Sequence, residues 1–548
     1  MKSLRVILII IVVVIAALLV WKYQIGKEPV TFKPGQGSKL TEALELIPAD
    51  AIYVLEFNFA KAYPHSEYAR KEWSKHIAEE LKDADEDDKA KLAALITYVE
   101  NPETTGIDFE GAMYIYLTQE AEISEDNNEV FEVNLMLPLS DGELFHKMIL
   151  AFSDDSDSIQ TVDGIFYYTP AAEKEMCFAW GEKTAAMTLN MVNDIDPKHY
   201  ASTVFNLPKE NLLKNENFQT WIKQSRDIGF WADIVGIKFD DDILKTLQGF
   251  FTGSFEALYE EELYCHINAN LDIGEIRVEG EYFPSAKAKP LYEEIFQSFN
   301  RTIDMKTMKA FPAEGLLGMV AFSTNMPEMM NYLYTKVKKM PEYKDEMKQA
   351  LAGVLMLGLS EENILNFLGG DVIIAIGTPP AEKGSEIHAI VGLGIEDTTL
   401  FDRLKGMAEA TGIASAKKDY YVLDTKKNIG SNVYVALINK MLWSTNNETS
   451  IGKLIAGKND VQLSKELLTL MEGKTLFAWA DVGRLLKFAA PFTGDKEATM
   501  FSANAATIFD KFVGWNGMYK SELKLTLKNK DQHALDALTD LGKTLPND

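Results

Sequence analysis

Apolar and polar residues alternate in several short runs of this chain, and longer runs of helical character separate them. Residues 51–58 (AIYVLEFN) and 520–529 (KSELKLTLKN) alternate with a period of two, which predicts β-strands with one buried face. Residues 66–99 and 327–357 predict helices instead. Hairpin-like strand pairs are commoner than strand–helix–strand crossovers, so the pattern predicts an antiparallel-rich α+β fold rather than a doubly wound sheet.

The second half of the chain shows the fullest series of predicted elements. The expected elements are strands at 372–376 and 389–393, a helix at 397–410, a hairpin formed by 420–423 and 433–439, and a last helix at 531–541. A further helix is expected at the Trp-Ala-Asp motif of each half, which starts at Trp231 and at Trp479.

The two halves share motifs in the same order. A Pro-Ala-acidic motif precedes an apolar run in each half, a glycine begins a later strand, and Trp-Ala-Asp follows. The landmark pairs are Pro48 and Pro312, Gly111 and Gly370, and Trp231 and Trp479. The separation decreases from 264 residues for the first pair to 248 residues for the last pair. Collinear motifs of this kind predict an internal duplication.

The sequence therefore predicts two tandem, internally duplicated domains, each an antiparallel sheet with helices. The first repeat is expected at residues 40–304 and the second at residues 305–548. Residues 24–39 contain proline and glycine and are typical of a linker. We expect Trp231 and Trp479 to occupy equivalent buried positions in two superposable halves.

An unbroken apolar run extends from Val6 to Val20. A helix of this length spans about 22 Å, which is short for a membrane. Trp21 and Tyr23 follow the run, and such aromatic side chains prefer the membrane interface and extend the effective span. No cleavage motif and no lipobox cysteine follows. Residues 1–23 are therefore predicted to be an uncleaved, single-pass inner-membrane anchor with the bulk of the chain in the periplasm. Secretion after cleavage is the alternative.

Composition and charge narrow the class of protein. The 548 residues are 47% hydrophobic and 25% charged, which are the values of a globular protein. The formal net charge of −27 makes nucleic acid a poor partner, because phosphate binding needs a basic surface. Cys177 and Cys265 are too few for a disulfide scaffold or a four-cysteine zinc module. The sequence leaves open whether they are buried thiols or bonded to each other.

Two segments of the first half resemble a known family. They are residues 47–58 (IPADAIYVLEFN) and 104–117 (TTGIDFEGAMYIYL), with Gly106, Ile107 and Asp108 as the most distinctive part. The chain resembles an uncharacterised Bacteroidota family of envelope proteins, known as a domain of unknown function, whose members are usually lipoproteins. The missing lipobox cysteine is a departure from that pattern. The resemblance implies location and architecture, and it implies no catalytic residue.

The motifs of catalysis and metal binding are missing from the sequence. The seven histidines form no paired ligand motif, and neither a phosphate-binding loop nor a nucleophile elbow is present. Residues 83–94 resemble a calcium loop only superficially, because Asp88 stands where glycine is required and Ala94 where glutamate is required. Cys265 and His266 are neighbours on a predicted strand and should point to opposite faces. We therefore predict no catalytic residue, no metal site and no cofactor.

These observations favour a non-enzymatic, membrane-tethered periplasmic protein that binds or scaffolds another component of the cell envelope. The expected partners are the membrane, through the N-terminal helix, and an envelope protein. One alternative is a carrier of a lipid or other hydrophobic ligand, which would need a continuous apolar pocket. Another is an enzyme with a dispersed site, which would need a cleft with convergent carboxylates of raised pKa.

Overall fold

A computed structural model describes most of the chain. The described residues are 42–119, 131–153, 159–169, 176–190, 195–208, 210–233, 263–337, 360–377, 388–425, 431–457, 461–489 and 496–543. The chain divides into two compact units. Among the described residues, the first unit comprises residues 42–233, Leu263–Phe283 and Asn529–Lys543, and the second comprises Pro284–Lys528. This division falls after Phe283, whereas the sequence placed the boundary between residues 304 and 305.

In its described residues, the first unit contains an antiparallel sheet built from ten strands. They are β1 (Ala51–Asn58), β2 (Ala112–Gln119), β3 (Phe131–Pro138), β4 (Gln160–Val162), β5 (Ile165–Tyr168), β6 (Met176–Trp180), β7 (Thr184–Asn190), β8 (Ile228–Asp233), β9 (Leu263–Asp272) and β10 (Glu275–Pro284). Their order is β4-β5-β6-β7-β3-β2-β1-β8-β9-β10, and every neighbouring pair from β4 to β9 is antiparallel.

The part of the second unit that the structure describes also contains an antiparallel sheet built from ten strands. They are β11 (Leu316–Ser323), β12 (Leu368–Gly377), β13 (His388–Ile395), β14 (Ala414–Ala416), β15 (Tyr421–Leu423), β16 (Val433–Ile438), β17 (Met441–Thr445), β18 (Leu476–Asp481), β19 (Phe509–Asn516) and β20 (Lys520–Leu527). Their order is β14-β15-β16-β17-β13-β12-β11-β18-β19-β20. This is the order of the first sheet, strand for strand.

Helices connect the strands in both units. In the first unit the α-helices are Glu42–Glu45, Phe59–Ala62, Glu67–Asp83, Glu86–Glu100, Gly142–Phe152, Pro197–Thr203, Glu216–Ile222 and Ala534–Gly542. In the second unit they are Ala288–Phe299, Met305–Lys309, Met326–Val337, Glu361–Leu365, Thr399–Ala410, Glu448–Ala456, Lys465–Met471, Val482–Ala489 and Lys496–Ile508. Several begin at a polar residue whose side chain accepts first-turn amides, as Asp141 does from Glu143 and Leu144.

The strand registers also correspond between the two sheets. Trp231 of β8 lies opposite Val54 of β1, and Trp479 of β18 lies opposite Met319 of β11. The β1–β2 and β11–β12 ladders each shift register by one residue near the start of β1 and of β11. These registers define which positions of the two sheets correspond to each other.

The glycine landmarks have corresponding roles as well. The carbonyl of Gly111 accepts a hydrogen bond from the amide of Phe59 at 3.2 Å, and that of Gly370 accepts from Thr324 at 3.1 Å. Gly370 has φ +99°, and a Cβ there would lie 1.9 Å from the carbonyl oxygen of Thr324. No other residue type fits that position. Pro48 and Pro312 each stand a few residues before the first strand of their sheet.

The prediction at the Trp-Ala-Asp motifs was wrong in its element type. Both motifs end a strand, and in the second unit the helix Val482–Ala489 follows, whereas the residues after Asp233 in the first unit lie outside the described part of the chain. Alternation buries Trp231 to 1% exposure, whereas Trp479 is half-buried. The predicted α+β class with antiparallel sheets is confirmed. Both cysteines are free thiols.

The predicted anchor lies outside the described residues. Val6, Val20, Trp21 and Tyr23 and the whole of residues 1–39 belong to that part of the chain. Among the residues that the structure does describe, no helix combines the length and apolar character needed to cross a membrane.

Candidate functional site

A cavity of about 260 Å³ opens at one end of the second sheet. It lies between the end of β12, the start of β13 and the helix Glu448–Ala456. Leu316, Ala375 and Ile390 form an apolar wall, and all three are buried residues of the core. One side of the cavity is therefore the exposed end of the hydrophobic core of this unit.

Two charged side chains also line the cavity. Glu314, in the turn before β11, forms an ion pair with Lys453 on the helix Glu448–Ala456. Their side chains are 33% and 29% exposed, respectively. Both charges are thus accessible to a molecule in the cavity, and each already has an opposite charge as its partner.

A neutral imidazole and an amide complete the polar lining. Asn447 precedes the helix, and its side-chain oxygen accepts hydrogen bonds from the amide and the hydroxyl of Ser450 at 2.8 and 3.1 Å. The amide NH₂ of Asn447 therefore points to Nε2 of His388, 3.0 Å away. Nε2 must accept that hydrogen bond, so the imidazole is neutral with its proton on Nδ1.

The corresponding place in the first unit is filled. Ala375 of β12 corresponds to Tyr116 of β2. Ala375 lies opposite Met319 and Tyr116 lies opposite Val54, and on their other side Met319 and Val54 lie opposite Trp479 and Trp231. Tyr116 is 5% exposed and packs in a cluster with Tyr200. Burial raises the pKa of the Tyr116 hydroxyl.

Close backbone packing at Gly377 leaves no room for a side chain in that part of the cavity wall. A Cβ at Gly377 would lie 2.9 Å from the carbonyl oxygen of Gly315, so only glycine fits there. The corresponding residue of the first unit is Thr118, opposite Ala51 as Gly377 is opposite Leu316. The sequence indicates that the two units differ at the cavity, because aligning Gly111 with Gly370 also aligns Tyr116 with Ala375.

The first unit has a buried ion pair that the second lacks. Glu56 and Arg226 are both fully buried and form a salt bridge. The guanidinium also lies 3.8 Å from the ring centre of Trp221 and donates to the carbonyls of Trp221 and Gln224. Burial lowers the pKa of Arg226, and the charge of Glu56 opposes this shift.

The counterparts of this ion pair show that the fold does not need it. The carbonyl of Asp227 accepts a hydrogen bond from the amide of Asn58. In the second unit the carbonyl of Thr475 accepts one from the amide of Ser323. Glu56 therefore corresponds to Ala321, and Arg226 to Lys474. Because a buried charge pair seldom adds net stability, its presence in one unit alone marks a difference between the two cores.

His266 lies in the same core as the ion pair. Its Nε2 lies 2.7 Å from the side-chain oxygen of Asn217, which also accepts from Trp231 Nε1 at 2.9 Å. The oxygen can only accept, so Nε2 carries the proton. Burial, followed by the charge of Arg226, lowers the pKa of His266 to about 3. The imidazole is therefore neutral at physiological pH.

The ion pair, the imidazole and the amide that line the cavity suit recognition by charge and shape. Within the described ranges, no group of three or more His, Cys, Asp or Glu side chains could hold a metal ion. Of the six repeat landmarks, Pro312 lines the cavity, and the other five stand at strand and turn positions. Sequence reasoning missed His388, Asn447 and Lys453, which belong to separate elements.

The fold and the cavity together define an antiparallel α+β protein with a small cavity in its second unit. The profile of a family described as "Domain of unknown function (DUF4836)" matches residues 44–535, and the chain belongs to this family. The predicted membership of a family of unknown function is thereby confirmed.

Other comparisons give weaker similarities. Among curated proteins, none matches the sequence. Among solved structures, the chain is similar to one described as "Structure of crystal form III of TP0453", with 12% identity, 47% of this chain and 86% of that chain covered, and a TM-score of 0.24. It is also similar to "Structure of crystal form IV of TP0453", with 13% identity, 47% and 85% covered, and a TM-score of 0.25.

Proposed function

We propose that this protein is a non-enzymatic binding or scaffolding protein of the cell envelope. Residues 1–23 would tether it to the inner membrane, with the bulk of the chain in the periplasm. The apolar run Val6–Val20 and the flanking aromatic residues support this location. Secretion after cleavage of the same segment is the alternative location.

The cavity of the second unit is the observation on which the binding function rests. It combines an apolar wall with an accessible ion pair and a hydrogen-bonding imidazole. Binding pockets typically combine apolar surface with a few placed polar groups in this way. The cavity, at about 260 Å³, is smaller than the roughly 300–1,000 Å³ of pockets for drug-sized ligands. Its size and charges argue for a small polar ligand over a lipid.

We also propose that the two units arose by duplication and then diverged. The identical strand order and the corresponding registers support this origin. The divergence is concentrated in the cores, where Tyr116 corresponds to Ala375 and Glu56 to Ala321. On this proposal the second unit binds the ligand, and the first serves a structural or partner-binding role.

The experiment that tests the envelope function is cross-linking in cells. A C-terminally tagged chain at native expression would be cross-linked, extracted from membranes with detergent, and analysed by mass spectrometry. We expect a single stoichiometric envelope protein and recovery in the inner-membrane fraction. Recovery of the chain in the cytoplasmic fraction would refute the proposal.

Two lysine variants sharpen that experiment. Lys453→Ala removes a cavity charge, and Lys214→Ala removes an exposed lysine of the first unit that pairs with Glu210 at 2.7 Å. If the cavity contributes to the function, Lys453→Ala lowers the yield of the cross-linked partner and Lys214→Ala does not. Equal yields from both variants would show that binding of the envelope partner does not depend on the cavity.

A further inference from the structure

We infer that the cavity of the second unit binds a small zwitterion of the aliphatic amino-acid class, an inference that rests on the proposed binding function. The ammonium group of the ligand would pair with Glu314, its carboxylate with Lys453, and its side chain would contact the apolar wall. Each part of this assignment follows from a separate feature of the cavity.

The first feature is the pair of opposite charges. Glu314 and Lys453 are each about one-third exposed and contact each other at the cavity. A partly exposed pair of this kind contributes little to stability, so its opening costs little. A ligand with one charge would leave either Glu314 or Lys453 without a partner. A zwitterion supplies a partner to both, and the net charge of the site stays unchanged.

The second feature is the polarity of the helix next to the cavity. Thr449 and Ser450 lie in the first turn of the helix Glu448–Ala456 and line the cavity. The helix dipole places partial positive charge at this end, which favours a carboxylate there. Lys453 is on the same helix, one turn further on, so both features put the carboxylate on the helix side. The ammonium then falls on the side of Glu314.

The third feature is the size and apolar wall of the cavity. An apolar cavity of about 150 Å³ binds benzene. On that scale, the cavity of about 260 Å³ accommodates roughly ten non-hydrogen atoms. This is the size of leucine and too small for a peptide. Leu316, Ala375 and Ile390 would contact the aliphatic side chain.

The described residues of the first unit differ from those of the second at the positions that line the cavity. Tyr116, 5% exposed, stands where the second unit has Ala375, and Glu132 stands where it has His388. Glu132 there accepts a hydrogen bond from the hydroxyl of Thr188 at 2.6 Å. We therefore expect one ligand per chain.

Isothermal titration of the detergent-purified full chain with three probes tests this inference. L-Leucine has both charges, 4-methylpentanoate lacks the ammonium group, and 3-methylbutylamine lacks the carboxylate. We expect leucine to bind with a stoichiometry of one per chain. Each single-charge probe should bind about ten- to hundredfold more weakly, the effect of losing one charged hydrogen bond.

Variants place the binding in the cavity. Lys453→Ala should weaken leucine binding by about tenfold or more, and Ala375→Tyr should abolish it by filling the cavity. Lys214→Ala, in the first unit, should leave the affinity unchanged. Circular dichroism establishes that each variant is folded before titration.

Three outcomes would overturn the inference. They are the absence of leucine binding, equal affinity for leucine and 4-methylpentanoate, and leucine binding that survives both cavity variants. None of them refutes the proposed envelope function, which depends on the location and partner found by cross-linking. Conversely, leucine binding by a chain found in the cytoplasm would refute the envelope function and leave the site intact.

Discussion

Tyr116 and Ala375 occupy the same position in two corresponding strand ladders, and only Tyr116 fills the space beside it. Tyr116 follows Ile115 on β2, opposite Val54, and Ala375 follows Ile374 on β12, opposite Met319. Both side chains face the core of their unit. A large side chain therefore stands in the first unit at a position whose counterpart lines the cavity of the second unit.

Exchanging these two residues should have opposite effects. Tyr116→Ala removes a buried ring and should lower the free energy of unfolding by about 3–5 kcal/mol. Ala375→Tyr places a ring where a cavity of about 260 Å³ already exists, and should cost less than about 1 kcal/mol. Urea unfolding followed by circular dichroism measures both. A larger loss for Ala375→Tyr than for Tyr116→Ala would show that the cavity cannot accept the ring.

Breaking the buried ion pair should be costly, and replacing it should not be. Arg226→Met leaves the carboxylate of Glu56 buried without its charge partner, so we expect a loss of about 3–5 kcal/mol. Adding Glu56→Ala, the residue found at the corresponding position 321, should restore most of that loss. Urea unfolding of the single and double variants measures the difference.

An exposed pair provides the control for that measurement. Lys214 and Glu210 have side chains that are 59% and 68% exposed. Lys214→Ala should change the free energy of unfolding by less than about 1 kcal/mol. If the double variant is no more stable than Arg226→Met alone, the arginine stabilises the core through Trp221 and the two carbonyls rather than through Glu56.

His266 should make the first unit sensitive to acid. Its pKa is lowered to about 3 in the folded chain, whereas the unfolded chain takes up the proton below about pH 6.5. Between these values the unfolded state binds more protons, so stability falls as pH falls. From pH 6.5 to 4.5 this amounts to about 2 kcal/mol from His266.

A glutamine variant isolates that contribution. His266→Gln keeps a donor for Asn217 and cannot take up a proton, so its stability should fall less steeply below pH 6.5. His199→Gln, at an exposed position, should retain the wild-type slope. Urea midpoints measured from pH 7 to 4.5 give the change of stability with pH for the wild type and both variants. Identical slopes for wild type and His266→Gln would show that another group is responsible for the acid sensitivity.

The two thiols should be inert in the folded chain. Burial raises the pKa of Cys177 to about 12 and that of Cys265 to about 11, so neither forms the reactive thiolate at pH 8. They stand on β6 and β9, six strand spacings or roughly 29 Å apart along the sheet. A thiol reagent should label none in buffer and two in urea without reductant. One or no labelled thiol in urea would contradict the structure.

Periodicity in the sequence was sufficient to predict the strands and their pairing class. The alternation over residues 51–58 and the short apolar run 372–376 depend only on which side chains avoid water, and both segments are strands. The Trp-Ala-Asp motif was less informative, because a short apolar run fits a helix or a strand. Pairing with β1 and β11 makes both motifs strands, and pairing partners distant in sequence are not visible in a local pattern.

The sequence by itself determined the α+β class, the antiparallel pairing and the order of the landmark motifs, because these follow from local alternation and from repetition along one chain. Only the tertiary structure decided that Glu314, His388 and Lys453 surround one cavity. These residues are separated by many positions, and their proximity follows from packing a helix across the end of a sheet. Ala375 lines the cavity at a position where the first unit has a tyrosine, and a missing volume becomes visible only when its neighbours are in place.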